Sequence, residues 1–224
     1  MSFFEKCANS FENMNKDHRD ACTSLWNRVS LAVQNQKLNN SMIFEEEKRR
    51  DIIQGLMKRP EMLVHVADVA TSEGLSMRNF VEVGTAQGMQ SIIFSHIFSN
   101  ARVYTCDIKD ERDPLFGEYG NLEFFLGDSL KMTTAIKNKL TGPVDFCWID
   151  GSHDHYAVVE DFISILPRTH KDTIWAFDDY DKRFGCFHDL NLLSRHLDEK
   201  MVLEFGLTAS GQPNRVLLAK GTDL

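Results

Sequence analysis

From Phe80 onward the chain adopts an alternation that few folds accommodate, with short apolar strands separated by amphipathic segments. FVEV precedes SIIFSHIF, RVYTCDI and LEFFL follow, VDFCWID precedes YAVVEDFISIL, and TIWAF precedes LNLLSRHL. Strand–helix alternation over this length predicts a parallel sheet with helices on both faces. Two further strands, MVLEF and RVLLA, are joined by a loop containing Gly206, Gly211 and Pro213. No helical crossover is needed there, so the pair is expected to be antiparallel. The predicted fold class is α/β: a doubly wound, seven-stranded sheet, mostly parallel, with an antiparallel C-terminal strand. Ligands of such sheets bind outside the carboxyl ends of the strands, and those ends are where chemistry is expected.

The first 75 residues read differently, as a helical extension ahead of a sheet domain spanning 76–224. Residues 1–40 are polar and rich in Asn, with aromatic residues at Phe3, Phe4, Phe11 and Trp26. The spacing of Trp26, Val29 and Val33 predicts an amphipathic helix. EEEKRRDIIQGLM (45–57) predicts a second, with Ile52, Ile53, Leu56 and Met57 as its apolar face. A third, short helix is expected from Met62 to Ser72, ended by Gly74. The extension is either a structural cover or a lid over a site.

Composition narrows the function. Apolar residues make up 42% and charged residues 26%, a soluble globular mixture with enough apolar material for a sizeable core. Lys and Arg number 25 against 33 Asp and Glu, a net charge of −8. Such a chain has no general attraction for nucleic acid or anionic membranes, so neither is expected as a partner. The five cysteines form no CxxC pair, and Cys106 and Cys147 lie in apolar runs, so they are read as core thiols. The N-terminus lacks a basic region followed by an apolar one, and no apolar run approaches the length of a membrane span. A cytoplasmic protein is expected.

The strand ends carry the candidate chemistry. The first strand runs into Glu82-Val83-Gly84-Thr85-Ala86-Gln87-Gly88. This is a GxxxG turn without the GxGxxG or P-loop pattern, which points to a ligand smaller than a pyrophosphate. The second strand ends at Asp107, 23 residues after Gly84 (107 − 84). That is about the interval at which an acid meets ribose hydroxyls in nucleotide-binding βαβ units. The third ends in Gly127-Asp128-Ser129, a polar trio able to bond an adenine edge. The fourth emerges into Asp150-Gly151-Ser152-His153-Asp154-His155-Tyr156, and the fifth ends in Asp178-Asp179-Tyr180. If these two strands are neighbours, Asp150, Asp178 and Asp179 converge and need protons or a cation to relieve their repulsion. Oxygen ligands suit Mg²⁺ or Ca²⁺, and the nearby histidines leave Mn²⁺ or Fe²⁺ open. His153 can accept a proton near neutral pH. His155 reads as surface or cap, and His188 as a residue that could approach from the next loop.

Taken in order, these motifs resemble those of class I S-adenosylmethionine-dependent methyltransferases from about Phe80 to Lys220, with the first 79 residues unmatched. VEVGTAQG looks like that family's first motif, VYTCDI like its ribose-binding strand, and FFLGDS like its adenine-contacting segment. IDGSHDHY and AFDDY look like the branch of macrocin-type sugar and catechol-type metal-dependent O-methyltransferases. The resemblance implies a Rossmann-like fold. It also implies a cofactor pocket formed by Glu82, Gly84, Thr85 and Gly88, then Asp107 and Ile108, then Gly127, Asp128, Ser129 and Asp150. Acids at Glu82, Asp107 and Asp128 would favour the cofactor's sulfonium. It further implies Mg²⁺, or another divalent cation, at Asp150, Asp178 and Asp179. His153 stands where the catechol enzymes place a lysine base, while in the sugar enzymes the metal-side aspartate, here Asp150, has been viewed as the base. The expected function is transfer of a methyl group from S-adenosylmethionine to a hydroxyl of a small molecule, a sugar or a catechol-like phenol. A homo-oligomer is compatible with this reading. The alternatives are an oxidative enzyme like the cephalosporin hydroxylases, a non-catalytic cofactor-binding module, and a metal-independent N- or C-methyltransferase. The acceptor's walls are expected from the N-terminal helices and the loops after Tyr180 and Gly206.

Overall fold

The central strands read as unbroken apolar runs because both of their faces are covered. In the computed structural model the backbone is described for residues 1–37, 46–207 and 213–222, and side chains for 1–29, 57–205 and 213–222. The strands are β1 (Asn79–Val83), β2 (Arg102–Asp107), β3 (Leu122–Leu126), β4 (Val144–Ile149), β5 (Thr169–Phe177), β6 (Glu199–Leu207) and β7 (Pro213–Lys220). They form one sheet in the order β3-β2-β1-β4-β5-β7-β6. The first five are parallel, and β7 runs antiparallel to both β5 and β6. The expected sheet is therefore present, including its antiparallel strand, and β4 and β5 are neighbours.

Alternation along each strand divides the core between two layers. Phe80, Phe146, Trp148, Ile174 and Ala176 face one side, together with α1 (Phe3–Ser10), α2 (Lys16–Lys37), α3 (Glu46–Ser72) and α4 (Met89–Ile97). Val81, Val83, Cys147, Ile149, Trp175 and Phe177 face the other, packed on α5 (Ser129–Ile136), α6 (Ala157–Ile165) and α7 (Cys186–Leu193). All five cysteines are buried and free. No helix among the described residues is long and apolar enough to cross a membrane.

One expectation needs correcting. The second and third predicted helices are a single helix, α3, which passes through Pro60. A proline in a helix interior costs about 3 kcal/mol. Beyond it, Leu63, Val66, Ala67 and Ala70 are fully buried against the sheet, and that burial outweighs the lost hydrogen bond. α3 ends as expected at Gly74 (φ +86°), where Leu75 N–H bonds Ala70 O and Gly74 N–H bonds Thr71 O, both at 3.0 Å. In α2, Cys22, Leu25 and Val29 form the buried stripe and Trp26 lies at its margin. The predicted apolar residues Val33, Ile52, Ile53 and Leu56, and the loop around Gly211, lie outside the described side chains.

Candidate active site

The glycine turn after β1 is held where strand ends crowd together. Gly84 has φ +92°, and a Cβ built there would stand 1.9 Å from the carbonyl oxygen of Asp150. Only a residue without a side chain lets the ends of β1 and β4 meet so closely, and Asp150 N–H continues the ladder by bonding Val83 O at 2.8 Å. Asp107 braces the same turn, its Oδ2 accepting from Ala86 N–H at 2.9 Å and its Oδ1 from Lys109 N–H at 3.1 Å. Ala86 takes a positive φ of 44° in that turn, and Gly88 stands at the N-cap of α4. Ile108 is 75% exposed, one residue beyond the register pair Asp107 and Leu126.

Two residues expected at the cofactor also bond within the scaffold. Glu82 is buried and accepts hydrogen bonds from Ser91 and, at 2.7 Å, from Thr105, to which Thr85 is bonded at 2.6 Å. Burial pushes its carboxyl up to about 7 against those hydrogen bonds. Asp128 caps α5, its Oδ1 accepting from Lys131 N–H at 2.7 Å. Gly127 N–H bonds Asp107 O at 2.8 Å, which ties the third strand end to the second, and Ser129 is buried at the first position of α5.

The acids after β4 and β5 come together, each beside a cationic or ionisable side chain. His153 Nε2 is 2.5 Å from Asp179 Oδ2, and Asp179 takes a left-handed backbone, φ +54°. That hydrogen bond raises the His153 pKa above its ordinary value, and partial burial opposes it. Asp178 N–H bonds Ile149 O at 3.0 Å, and its Oδ2 accepts from Arg59 of α3. The Arg59 guanidinium lies 5.3 Å over the Trp148 ring, and its Nη2 is 3.8 Å from Asp150 Oδ2. Burial and the Asp178 charge push the Asp150 carboxyl well above the usual carboxylate range, with Arg59 acting in the opposite direction. Burial disfavours the Arg59 cation, yet Asp178 and Asp150 raise its pKa further.

One donor atom from each of Asp150, His153 and Asp179 lies within 4.8 Å of the other two. Asp178 Oδ1 is buried with no hydrogen-bond partner among the described residues. Two carboxylates and an imidazole at this separation, beside an orphaned carboxylate oxygen, fit a divalent cation. The converging donors are thus Asp150, Asp179 and His153, while Asp178, the third expected ligand, carries Arg59.

α7 holds the loop that presents His153. Cys186 N–H bonds His153 O at 3.0 Å, and the buried Asp189 accepts from Tyr156 N–H at 2.8 Å. Tyr156 is left-handed, φ +67°, and His155 stays exposed with Nδ1 3.6 Å from Asp189. His188, the expected approach from this segment, is exposed, and its neighbour Asp189 makes the contact. Neither Asp189 nor Arg59 was foreseen. Arg59 is 119 residues from Asp178, and no local spacing links them.

Comparison with known proteins bears on the domain and the fold. Residues 81–180 match a family described as a methyltransferase domain. The fold is similar to that of the O-methyltransferase TomG from Streptomyces achromogenes, involved in tomaymycin synthesis and solved with S-adenosylmethionine. The TM-score is 0.59 at 15% identity, over 85% of this chain and 96% of that one. An O-methyltransferase from Bacillus cereus, solved with S-adenosylhomocysteine, gives 0.57 at 17% identity, over 85% and 97%. An rRNA methylase from Streptococcus thermophilus gives 0.52 at 15% identity, over 71% and 96%. A search among curated proteins finds no match by sequence. Residues 81–180 thus resemble a methyltransferase domain, and the chain shares the Rossmann-like fold of these structures.

Proposed function

We propose that the protein transfers the methyl group of S-adenosylmethionine to a hydroxyl oxygen of a small molecule able to offer two neighbouring oxygens, a vicinal diol of a sugar or a catechol-like phenol. The observation that carries this reading is the meeting of three elements at one sheet end: the braced glycine turn, Asp107, and the pair His153–Asp179 beside Asp150. Asp107 is read as the ribose ligand, because a carboxylate accepts two hydrogen bonds from a vicinal diol. Exposed apolar side chains at Ile108, Leu126 and Leu130 offer a surface for the adenine.

Methyl transfer is an in-line displacement, so alignment is the chief contribution of the protein. The acceptor oxygen bonds the methyl carbon as the carbon–sulfur bond breaks, the sulfonium becomes a thioether, and the hydroxyl proton leaves to a base. His153 is that base: its Nε2–H donates to Asp179, which leaves Nδ1 to take the proton, and the Cys186 hydrogen bond holds its backbone. Asp150 and Asp179 would hold a divalent cation, which when bound supplies Lewis acidity that lowers the pKa of the hydroxyl. α3 forms one wall of the site through Arg59.

Calorimetric titration with S-adenosylhomocysteine tests the reading. Wild type is expected to bind it, and Asp107→Ala to bind at least tenfold more weakly, about 1.4 kcal/mol. Equal affinity of the two proteins would overturn the assignment of Asp107. Methyl transfer from labelled cofactor to a panel of catechols and sugars then identifies the acceptor.

A further inference from the structure

We propose that Arg59 is a positioning residue that acts as a resident cation of the acid cluster, withholding Asp178 from the divalent-cation donors. The inference rests on the cation-assisted reading above and extends it to a residue outside the matched domain. Three carboxylates, Asp150, Asp178 and Asp179, meet at the ends of β4 and β5, and one guanidinium stands among them. Arg59 bonds Asp178 and only approaches Asp150, at 3.8 Å. The pair Arg59–Asp178 is neutral, which leaves Asp150, Asp179 and His153 as the donors that face one another. Without Arg59, a buried carboxylate with an unpartnered oxygen would join that set as a third anionic donor. Arg59 is also fixed from outside the site, by its seat over Trp148 and by the helix that carries it. Cation affinity is thereby tied to the docking of α3 on the sheet.

The test is titration calorimetry of the full chain with Mn²⁺ alone and with Mg²⁺ alone, beside S-adenosylhomocysteine as a separate ligand. Arg59→Met is expected to bind Mn²⁺ at least tenfold more tightly than wild type, because Asp178 is released. Arg59→Lys keeps the charge and is expected within threefold of wild type. The double variant Arg59→Met with Asp178→Asn removes both members of the pair and is also expected within threefold. Unchanged or weaker Mn²⁺ binding by Arg59→Met overturns the proposal, as does a gain that survives in the double variant. Should the single variant fail to fold, loss of Mn²⁺ binding beyond threefold in the double variant overturns it as well. If wild type and Arg59→Met bind S-adenosylhomocysteine but neither binds Mn²⁺, the proposal falls. If wild type binds no S-adenosylhomocysteine, the methyltransferase reading fails, and the Mn²⁺ ratios still decide the role of Arg59.

Discussion

Two glycines with nearly the same backbone angle allow the crowding at the site to be weighed. Gly74 (φ +86°) and Gly84 (φ +92°) are both left-handed, but a Cβ at Gly74 meets nothing within 4 Å, whereas one at Gly84 falls 1.9 Å from Asp150 O. Alanine at either position incurs the left-handed penalty of about 1–2 kcal/mol. At Gly84 the contact is with backbone, which cannot rotate away, and overpacking adds about 1–3 kcal/mol. For a chain of this size 1 kcal/mol shifts Tm by about 2–4 °C. Gly74→Ala should therefore lower Tm by about 2–8 °C, and Gly84→Ala by about 4–20 °C. Differential scanning calorimetry of the two variants, followed by titration with S-adenosylhomocysteine, separates the effects. Gly74→Ala should retain wild-type ligand affinity, and Gly84→Ala should lose it as Asp150 is displaced. Equal Tm losses with ligand binding intact in both would refute the described seating of Asp150 against β1.

Other consequences can be checked directly. Glu82 has a folded pKa of about 7, above its unfolded value of about 4.3, so the folded state keeps a proton that the unfolded state has released between those values. Its cost to stability is absent below about pH 4 and reaches about 4 kcal/mol above pH 7, so Glu82→Gln should flatten the fall in urea midpoint across that window. The His153 imidazole, followed by NMR in chelator-treated protein, should titrate above about 6.5, and Asp179→Asn should bring it down. No change on that substitution would refute the pairing. The associated stabilisation is present below the unfolded pKa and fades as pH rises through the folded one. Asp189→Ala should cost about 1–3 kcal/mol by leaving Tyr156 N–H unpartnered, and should lower kcat more than cofactor affinity. Unaltered turnover would remove Asp189 from the support of the His153 loop.

Much of this was legible from the residues. Strand–helix alternation with short apolar runs pointed to the parallel strands, because two covered faces demand apolar residues at successive positions, as in VDFCWI of β4. Convergence of Asp150 with the Asp178–Asp179 pair was expected only if β4 and β5 were neighbours, a condition that the sheet order meets. What escaped were contacts without local periodicity. The segments 45–57 and Met62–Ser72 read as two helices, whereas burial of Leu63 and Ala67 holds them as one helix through Pro60. Arg59 was not singled out, since only the crossing of α3 over Trp148 carries its guanidinium to the acids. Glu82 and Asp128 were expected at the cofactor from the resemblance, and the hydroxyl of Thr105 and the N-terminus of α5 that also bond them could not be read from local spacing.

The position of β7 bears on how the protein is made. β7 is threaded between β5 and β6, and its Arg215 carbonyl accepts from Tyr180 N–H at 3.0 Å, latching the segment just after Asp178 and Asp179. During synthesis the inner edge of β5 stays open until residues 213–220 have left the ribosome. Until then a nascent chain carries most of its sheet with an unpaired apolar edge beside the unfinished acid cluster. That interval is when strand pairing between neighbouring nascent chains poses the greatest hazard.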